Sequence, residues 1–232
     1  MIKTKFLEFL KTKVYLGYQS CSWNPKMEHL IHSKTGAYYI LDFYKLVFYL
    51  NKVTKYLKKK AEKRRKILFV GTYNEIRESI AKEARKSNSY FINYRWLGGT
   101  LTNWTTIRSR IKHLEYLKKK NFYKNLTKKE QYLKKKKLSR LKKDFNGIRK
   151  MLKLPDIAVI LDQKKDITAV LECKKLNIPI ISIVDSIDNP DLIDFPLPAN
   201  LKSLRIIRFI LKILSASIRR GRVKYSNNRI KI

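Results

Sequence analysis

The sequence predicts an α/β domain, a parallel sheet with helices on both faces and an inserted antiparallel helical hairpin. Three observations predict it. The apolar runs Ile67–Gly71, Ile157–Leu161 and Ile178–Val184 have strand length and no polar alternation, as strands buried on both faces require. Segments with 3-4 apolar spacing lie between them. The order is strand–helix–strand, helix pair, strand–helix–strand, helix, which a parallel sheet covered on both sides accommodates.

The elements follow in order. Ala37–Leu41 reads as a short strand after a Thr35-Gly36 turn. Asp42 is placed to cap a helix whose apolar positions are Leu46, Val47, Leu50, Val53 and Leu57. Lys58-Lys59-Lys60 to Arg64-Arg65 is a basic connector into the strand at Ile67. Thr72 and Glu75 have capping-box spacing, and Ile76, Ile80 and Ala84 line one helix face. Tyr90–Asn93 is a second strand, and Trp96-Leu97-Gly98-Gly99 a turn.

Two helices come next. Trp104, Ile107, Ile111 and Leu114 form one seam, and Leu138, Leu141, Phe145, Ile148 and Leu152 form another, with a polar stretch between. Matching seams joined by a polar tip predict an antiparallel hairpin over 104–153. Continued toward the tip, the seams land on Lys118 and Lys134, so the hairpin should pack at its base and loosen at its tip. After the strand at 157–161 come a helix over Lys165–Leu176, the strand at 178–184, a loop with three prolines ending at Pro198, and a last helix with Leu204, Ile207, Leu211, Leu214 and Ile218 inward. With no internal repeat and no interdomain linker, 1–232 reads as one domain.

Composition narrows the function. The chain has 232 residues, 54 Lys+Arg against 18 Asp+Glu, and a formal net charge of +36. A 44% hydrophobic fraction argues against wholesale disorder. So much self-repulsion calls for a polyanion, nucleic acid or an anionic membrane surface. No uncharged apolar run has spanning length, and lysines are scattered through Met1–Leu16, so neither a membrane span nor a secretory signal is expected. Two cysteines, Cys21 and Cys173, make no disulfide framework. The 39 Lys against 15 Arg, with 26 Ile, 14 Asn, 14 Tyr and only 8 Ala, point to an AT-rich genome such as an organelle's or an endosymbiont's. The charge is also uneven. Residues 156–194 hold eight acids and four bases, whereas 104–153 hold 19 bases and three acids.

Catalytic chemistry finds little support. Thr72, Asp162 and Asp185 stand at carboxyl ends of strands, where parallel sheets bind ligands. They read either as a nucleotide or metal site or as caps of turns and helices. The Gly71-Thr72-Tyr73-Asn74 turn lacks a phosphate cradle, which favours caps. Cys21, His29 and His32 lack a fourth zinc ligand. No nucleophile elbow occurs. We expect no cofactor, metal or small-molecule substrate.

Nucleic-acid chemistry is better represented. In Asn93-Tyr94-Arg95-Trp96-Leu97-Gly98-Gly99-Thr100-Leu101-Thr102-Asn103-Trp104, Arg suits phosphate, Asn suits sugar or base edges, and the glycines admit close backbone approach. Trp96 and Trp104 can stack on bases, but we assign them to the core, the commoner use of buried aromatics. Arg95 is assigned to RNA or a partner. The lysine runs suit phosphate neutralisation without sequence specificity.

At this point the chain resembles a family. Trp23-Asn24-Pro25-Lys26-Met27, Phe69-Val70-Gly71-Thr72, Arg95-Trp96-Leu97-Gly98-Gly99-Thr100-Leu101-Thr102-Asn103-Trp104 and Leu154-Pro155-Asp156 are similar to blocks of the bacterial-type ribosomal protein S-two. Asn177-Ile178-Pro179, Val184-Asp185, Asn189-Pro190-Asp191 and Arg220-Gly221-Arg222 continue the match in order, so it runs from about Leu7 to Arg222. Asp162-Gln163, Glu172-Cys173 and Pro198-Ala199-Asn200 resemble plastid members. The resemblance implies a Rossmann/flavodoxin-like sheet with a protruding coiled-coil hairpin, and a structural place on the solvent side of the small ribosomal subunit between head and body. It implies binding to small-subunit ribosomal RNA and neighbouring ribosomal proteins, no catalysis, and in bacteria a part in docking the mRNA-binding protein S-one.

The chain departs from the family at three places. The His-aromatic-Gly-His block reads Tyr15-Leu16-Gly17-Tyr18. Leu201 and Lys202 replace two acids that favour a helix dipole. A Gly-Gly pair is replaced near Met151 and Leu152.

The sequence-based expectation is therefore a structural ribosomal protein of the plastid stroma, encoded in the organelle without a transit peptide, with the cytoplasm of an AT-rich bacterium as the alternative source. Contacts to RNA or partners are expected from Trp23, Asn24, Lys26, Arg95, Asn103, Arg108, Arg110, Lys118, Lys119, Lys120, Lys134, Lys135, Lys136 and Lys137. The acidic stretch 156–194 is expected to face away from RNA, toward a basic neighbour or solvent. The rivals are a nucleotide-binding α/β enzyme and a free basic RNA-binding regulator.

Overall fold

The computed structural model describes residues 16–19, 23–36, 38–117 and 127–230, with side chains for all of these but 16–19, 117 and 226–230. Tyr15, Cys21, Ala37, Lys118, Lys119 and Lys120 lie outside the described residues.

Near the amino terminus, β1 (Leu16–Gln19), β2 (Ile31–Thr35) and β3 (Tyr38–Leu41) form an antiparallel sheet in the order β1-β3-β2. The sequence predicts only the last of these. β2 reads Ile-His-Ser-Lys-Thr with four consecutive exposed residues, so it carries no apolar alternation to reveal it. Helix α1 (Phe43–Glu62) starts where the Asp42 carboxylate accepts the Lys45 amide at 3.1 Å. Its buried stripe is Leu46, Leu50, Val53, Leu57 and Ala61, the 3-4 face that the sequence marks, while Val47 is half-buried.

The central sheet contains β4 (Ile67–Val70), β5 (Tyr90–Ile92), β6 (Ile157–Ile160), β7 (Ile180–Val184) and β8 (Phe195–Pro198), all parallel, in the order β5-β4-β6-β7-β8. Counted by first appearance this is 2-1-3-4-5, the flavodoxin-like order. Every residue of β4, β6 and β7 is buried. Strand alternation sends Ile67 and Phe69 into one core and Leu68 and Val70 into the other. The first core lies under α1, α2 (Arg77–Lys86) and α6 (Leu204–Ile230). The second lies under α3 (Trp104–Leu117), α4 (Lys128–Phe145) and α5 (Ile167–Lys175), together with Met27 and Leu30 of a short 3-10 helix.

Three expectations change. The proline loop contains β8. Ala199 donates its amide to Val184 O at 3.1 Å. Alternation then turns the amide of Leu197 to β7 as well, and the nitrogens of Pro196 and Pro198 outward, where a missing N–H breaks no ladder bond. Thr72 does not cap α2. Its hydroxyl donates to Asp166 at 2.9 Å, and a 3-10 turn, Asn74–Ile76, leads into the helix. Leu152 is 64% exposed, because α4 ends at Phe145 and the 3.6-residue period ends with it; Ile148 stays inward as expected, and Met151 is buried in place of Leu152.

The bases of α3 and α4 are packed through Ile107, Ile111 and Phe145, whereas Leu138 and Leu141 are only half-buried. Arg149 donates to Glu115 at 2.8 Å, tying the residues after α4 to the last turns of α3. Thr127 and Glu130 form a capping box at the start of α4. Residues 118–126, where the sequence places the tip of the expected hairpin, lie outside the described residues.

Candidate nucleic-acid interface

The turn between β5 and α3 is held by one carboxylate. Glu172, on α5, accepts from Trp96 Nε1 at 2.8 Å and from the Gly99 amide at 2.9 Å through Oε1. Its Oε2 accepts from the Leu101 amide at 2.8 Å, the Thr102 amide at 3.1 Å and Thr102 Oγ1 at 3.2 Å. Burial disfavours the charge, but these donors outweigh it and hold the Glu172 carboxyl below the usual glutamate range. Gly99 has φ +81°, a left-handed conformation that glycine adopts without a side-chain clash. Trp96 is buried and Trp104 half-buried against the same core, so both tryptophans belong to the packing. The turn is thereby rigid, and it fixes where α3 begins.

On that base the cations stand outward. Arg95, Asn103, Arg108 and Arg110 are exposed, as are Lys135, Lys136 and Lys137 of α4; Lys134 is half-buried, in keeping with its seam position. Asn103 Oδ1 accepts from Thr106 Oγ1 at 2.6 Å, so part of its side chain is engaged in starting α3. A neighbouring cluster escaped the sequence analysis. The Arg77 guanidinium lies 4.3 Å from the Tyr94 ring centroid and Lys143 Nζ lies 5.8 Å from the same ring. Tyr94 belongs to the marked block, but its partners come from residues far away in the chain. Burial pushes the carboxyl of Asp144 up, against the charges of Arg140 and Arg95.

Trp23, Asn24 and Lys26 form a separate group. Trp23 packs on Tyr39 with ring centroids 4.9 Å apart. Asn24 caps the 3-10 helix Pro25–Leu30 and donates its amide to Ser186 O at 2.8 Å. Lys26 pairs with Asp191 at 2.5 Å. These residues dock the amino-terminal segment on the 185–191 loop, and Lys174 of α5 donates to the Asp191 carbonyl at 2.7 Å.

The acidic stretch is not an open acidic face. All eight of its carboxylates accept hydrogen bonds within the chain. Asp156 takes Arg65 Nη1 and the Lys66 amide, and Asp162 the Lys165 amide. Asp166 takes Thr72, and Glu172 the turn just described. Asp185 takes the Ser186 and Leu201 amides, and Asp188 the Asp185 amide at 2.7 Å. Asp191 takes Lys26, and Asp194 the Ile180 amide at 2.7 Å. Asp166, Asp185 and Asp188 are buried. The acids hold turns together, and the exposed excess is cationic.

The crevice at the carboxyl ends of β4 and β6 is the place where this strand order binds ligands. Here it is closed by the Thr72–Asp166 bonds and leaves a cavity of about 120 Å³ lined by Tyr73, Asp162, Lys164, Asp188, Leu201 and Lys202. Ligand pockets usually measure about 300–1,000 Å³. Asp162 and Asp185 thus act as turn acceptors, and Thr72 as a donor to Asp166. Among the described residues, no group of three His, Cys, Asp or Glu is placed to hold a metal ion, and no helix is long and apolar enough to cross a membrane. Cys173 is buried, its thiol pushed up to about 12 by burial and then by the Glu172 charge.

Comparison with known proteins agrees with this geometry. The family model for ribosomal protein S2 matches residues 9–221. The small ribosomal subunit protein uS2c of Galdieria sulphuraria is 46% identical over 217 residues, covering 94% of this chain and 93% of that protein. The uS2c proteins of Trieres chinensis and Cyanophora paradoxa are each 42% identical, over 93% and 92% of this chain and 96% and 93% of their own lengths. With a sheet of flavodoxin-like order, a rigid turn at Arg95–Trp104 and this match along nearly its whole length, the chain belongs to the ribosomal protein S2 family.

Proposed function

We propose that the protein is a structural constituent of the small ribosomal subunit of a plastid, without catalytic activity of its own. It binds small-subunit ribosomal RNA and neighbouring ribosomal proteins. The observation that carries this reading is the family match over 9–221, joined to a surface on which the acids of 156–194 accept hydrogen bonds within the chain while the arginines and most lysines of α3 and α4 are exposed. The plastid source is supported by relatives named uS2c and by the Lys-, Ile-, Asn- and Tyr-rich composition.

In mechanism, the Glu172 clamp fixes the turn and the start of α3. Residues 104–153 act as a helical hairpin inserted in a single domain, with Arg95, Asn103, Arg108, Arg110 and the lysines around 118–120 and 134–137 set against phosphate. Each neutralised phosphate releases counterions, so the contact is strong, dependent on salt and indifferent to sequence. Trp23, Asn24 and Lys26 contribute to a protein neighbour's site from the docked amino-terminal segment. Sucrose-gradient sedimentation of the tagged protein tests the reading. Co-migration with small subunits supports it, and a free pool with saturable millimolar nucleotide binding favours the enzyme alternative.

A further inference from the structure

A second basic feature lies at the opposite end of the central sheet from the closed crevice, at the amino ends of β4 and β5. A cavity of about 410 Å³ opens there between the α1–β4 turn, the α2–β5 turn and the later turns of α6. Its cationic wall is Arg64, Arg65, Lys66 and Arg222, its aromatic wall Tyr90 and Tyr225, and among the described residues no acid lines it. We propose that this cleft is a nucleotide-binding site for single-stranded ribosomal RNA, seating one phosphate among the arginines and an adjoining base against a tyrosine. The proposal rests on the ribosomal reading above and adds a site remote from the helical pair.

Five observations support it. The Arg64 guanidinium lies over the Tyr225 ring at 4.3 Å from its centroid, and arginines that sit on aromatic faces also pair phosphate through their planar N–H fork. Arg64 has φ +53° just past the end of α1, where glycine or asparagine is usual, so the chain carries a long cation where a residue with no side chain would be easiest. Arg222 is pinned by donating Nη1 to the Asn88 carbonyl at 2.7 Å, which fixes a second fork at the wall. Arg65 faces Asp156 at 2.9 Å and is partly neutralised, whereas the remaining wall concentrates positive charge that an anion relieves. The cavity exceeds what one carboxylate of an acidic peptide needs and falls in the range of about 300–1,000 Å³ usual for ligand sites. Tyrosine beside arginine is the pairing that single-stranded bases stack on.

The test is photo-crosslinking of the full chain to small-subunit ribosomal RNA carrying thiouridine, with peptide mapping, on the wild type and on Arg64→Asn and Tyr225→Leu. Asparagine tolerates the left-handed backbone at 64. The expected result is a nucleotide adduct on the peptides bearing Tyr90 or Tyr225. Tyr225→Leu should weaken it about tenfold. Arg64→Asn should lower the salt slope of binding by about one. Adducts on α3 and α4 persist in both variants, which shows that they fold. Wild-type protein that co-sediments with the RNA and crosslinks through α3 and α4, but gives no adduct at the cleft, overturns this inference and leaves the ribosomal reading intact. Crosslinking from the cleft to an acidic protein, or protection by free uridine monophosphate with no RNA adduct, overturns it as well.

Discussion

Trp96 Nε1 donates to Glu172 Oε1 at 2.8 Å, joining the turn before α3 to the second turn of α5 across 76 residues of chain. The same carboxylate gathers three backbone amides and a hydroxyl, so one side chain closes the turn from which α3 starts. The placement of the residues proposed to contact RNA therefore depends on an acid that need not touch RNA.

Glu172→Leu should destabilise the fold by about 3 kcal/mol, since it strands the indole N–H and several amides, while Glu172→Gln, which keeps one acceptor oxygen, should cost about half as much. Urea unfolding of purified protein checks the ranking. Equal costs for the two would mean that water replaces the clamp.

Asp188 gives a prediction in pH. Burial, then the charges of Asp162 and Asp185, push its carboxyl from 3.8 to about 7, against the opposing Asp185 amide and Lys164. A raised native value means that the folded chain holds the proton more tightly than the unfolded chain. The associated stability is complete below the unfolded value and is lost as pH rises from about 4 to about 7. Asp188→Asn keeps an oxygen for the Asp185 amide and removes the charge. It should be on the order of 2 kcal/mol more stable than wild type near pH 8, with the gap closing near pH 5. Chemical denaturation at the two pH values measures it. Glu172 runs in the opposite sense, since its depressed carboxyl contributes above the usual glutamate range and loses its contribution in acid below it.

Gly147 follows α4, and a Cβ there would stand 1.9 Å from the Phe91 carbonyl oxygen of β5. Gly147→Ala forces the α4 end off the sheet and should cost about 3 kcal/mol, with thermal unfolding as the readout. A cost below about 0.5 kcal/mol would show that this junction yields freely.

Replacing Lys135, Lys136 and Lys137 by Gln should leave unfolding nearly unchanged, because all three are exposed. It should lower the slope of log affinity for ribosomal RNA against log salt by about 2–3. Filter binding over a salt series measures this, and an unchanged slope would remove α4 from the interface.

Much of this was legible in the residues. Uninterrupted runs such as Ile157–Ile160 carry their strand assignment in themselves, and Asp42 capping α1 is visible as an acid ahead of a 3-4 stripe. What escaped is nonlocal. Pro196 and Pro198 argue for a loop until β7 shows which side of the strand is bonded. Thr72 has capping-box spacing, yet Asp166 lies 94 residues away and claims its hydroxyl. The eight acids of 156–194 look like a negative face because sequence counts charge without showing which carboxylates turn inward to hold amides. The exposed lysines were found by composition alone, whereas Glu172 and the Arg77–Tyr94–Lys143 cluster depend on contacts that no local pattern announces.

The most direct test of the central claim is sucrose-gradient sedimentation of the epitope-tagged protein from plastid extract, followed by crosslink mapping of the small-subunit fraction. The protein should co-migrate with small subunits, and its RNA crosslinks should fall on Arg95–Lys153 and largely spare 156–194. A protein that stays at the top of the gradient, or that crosslinks chiefly through 156–194, would contradict the account.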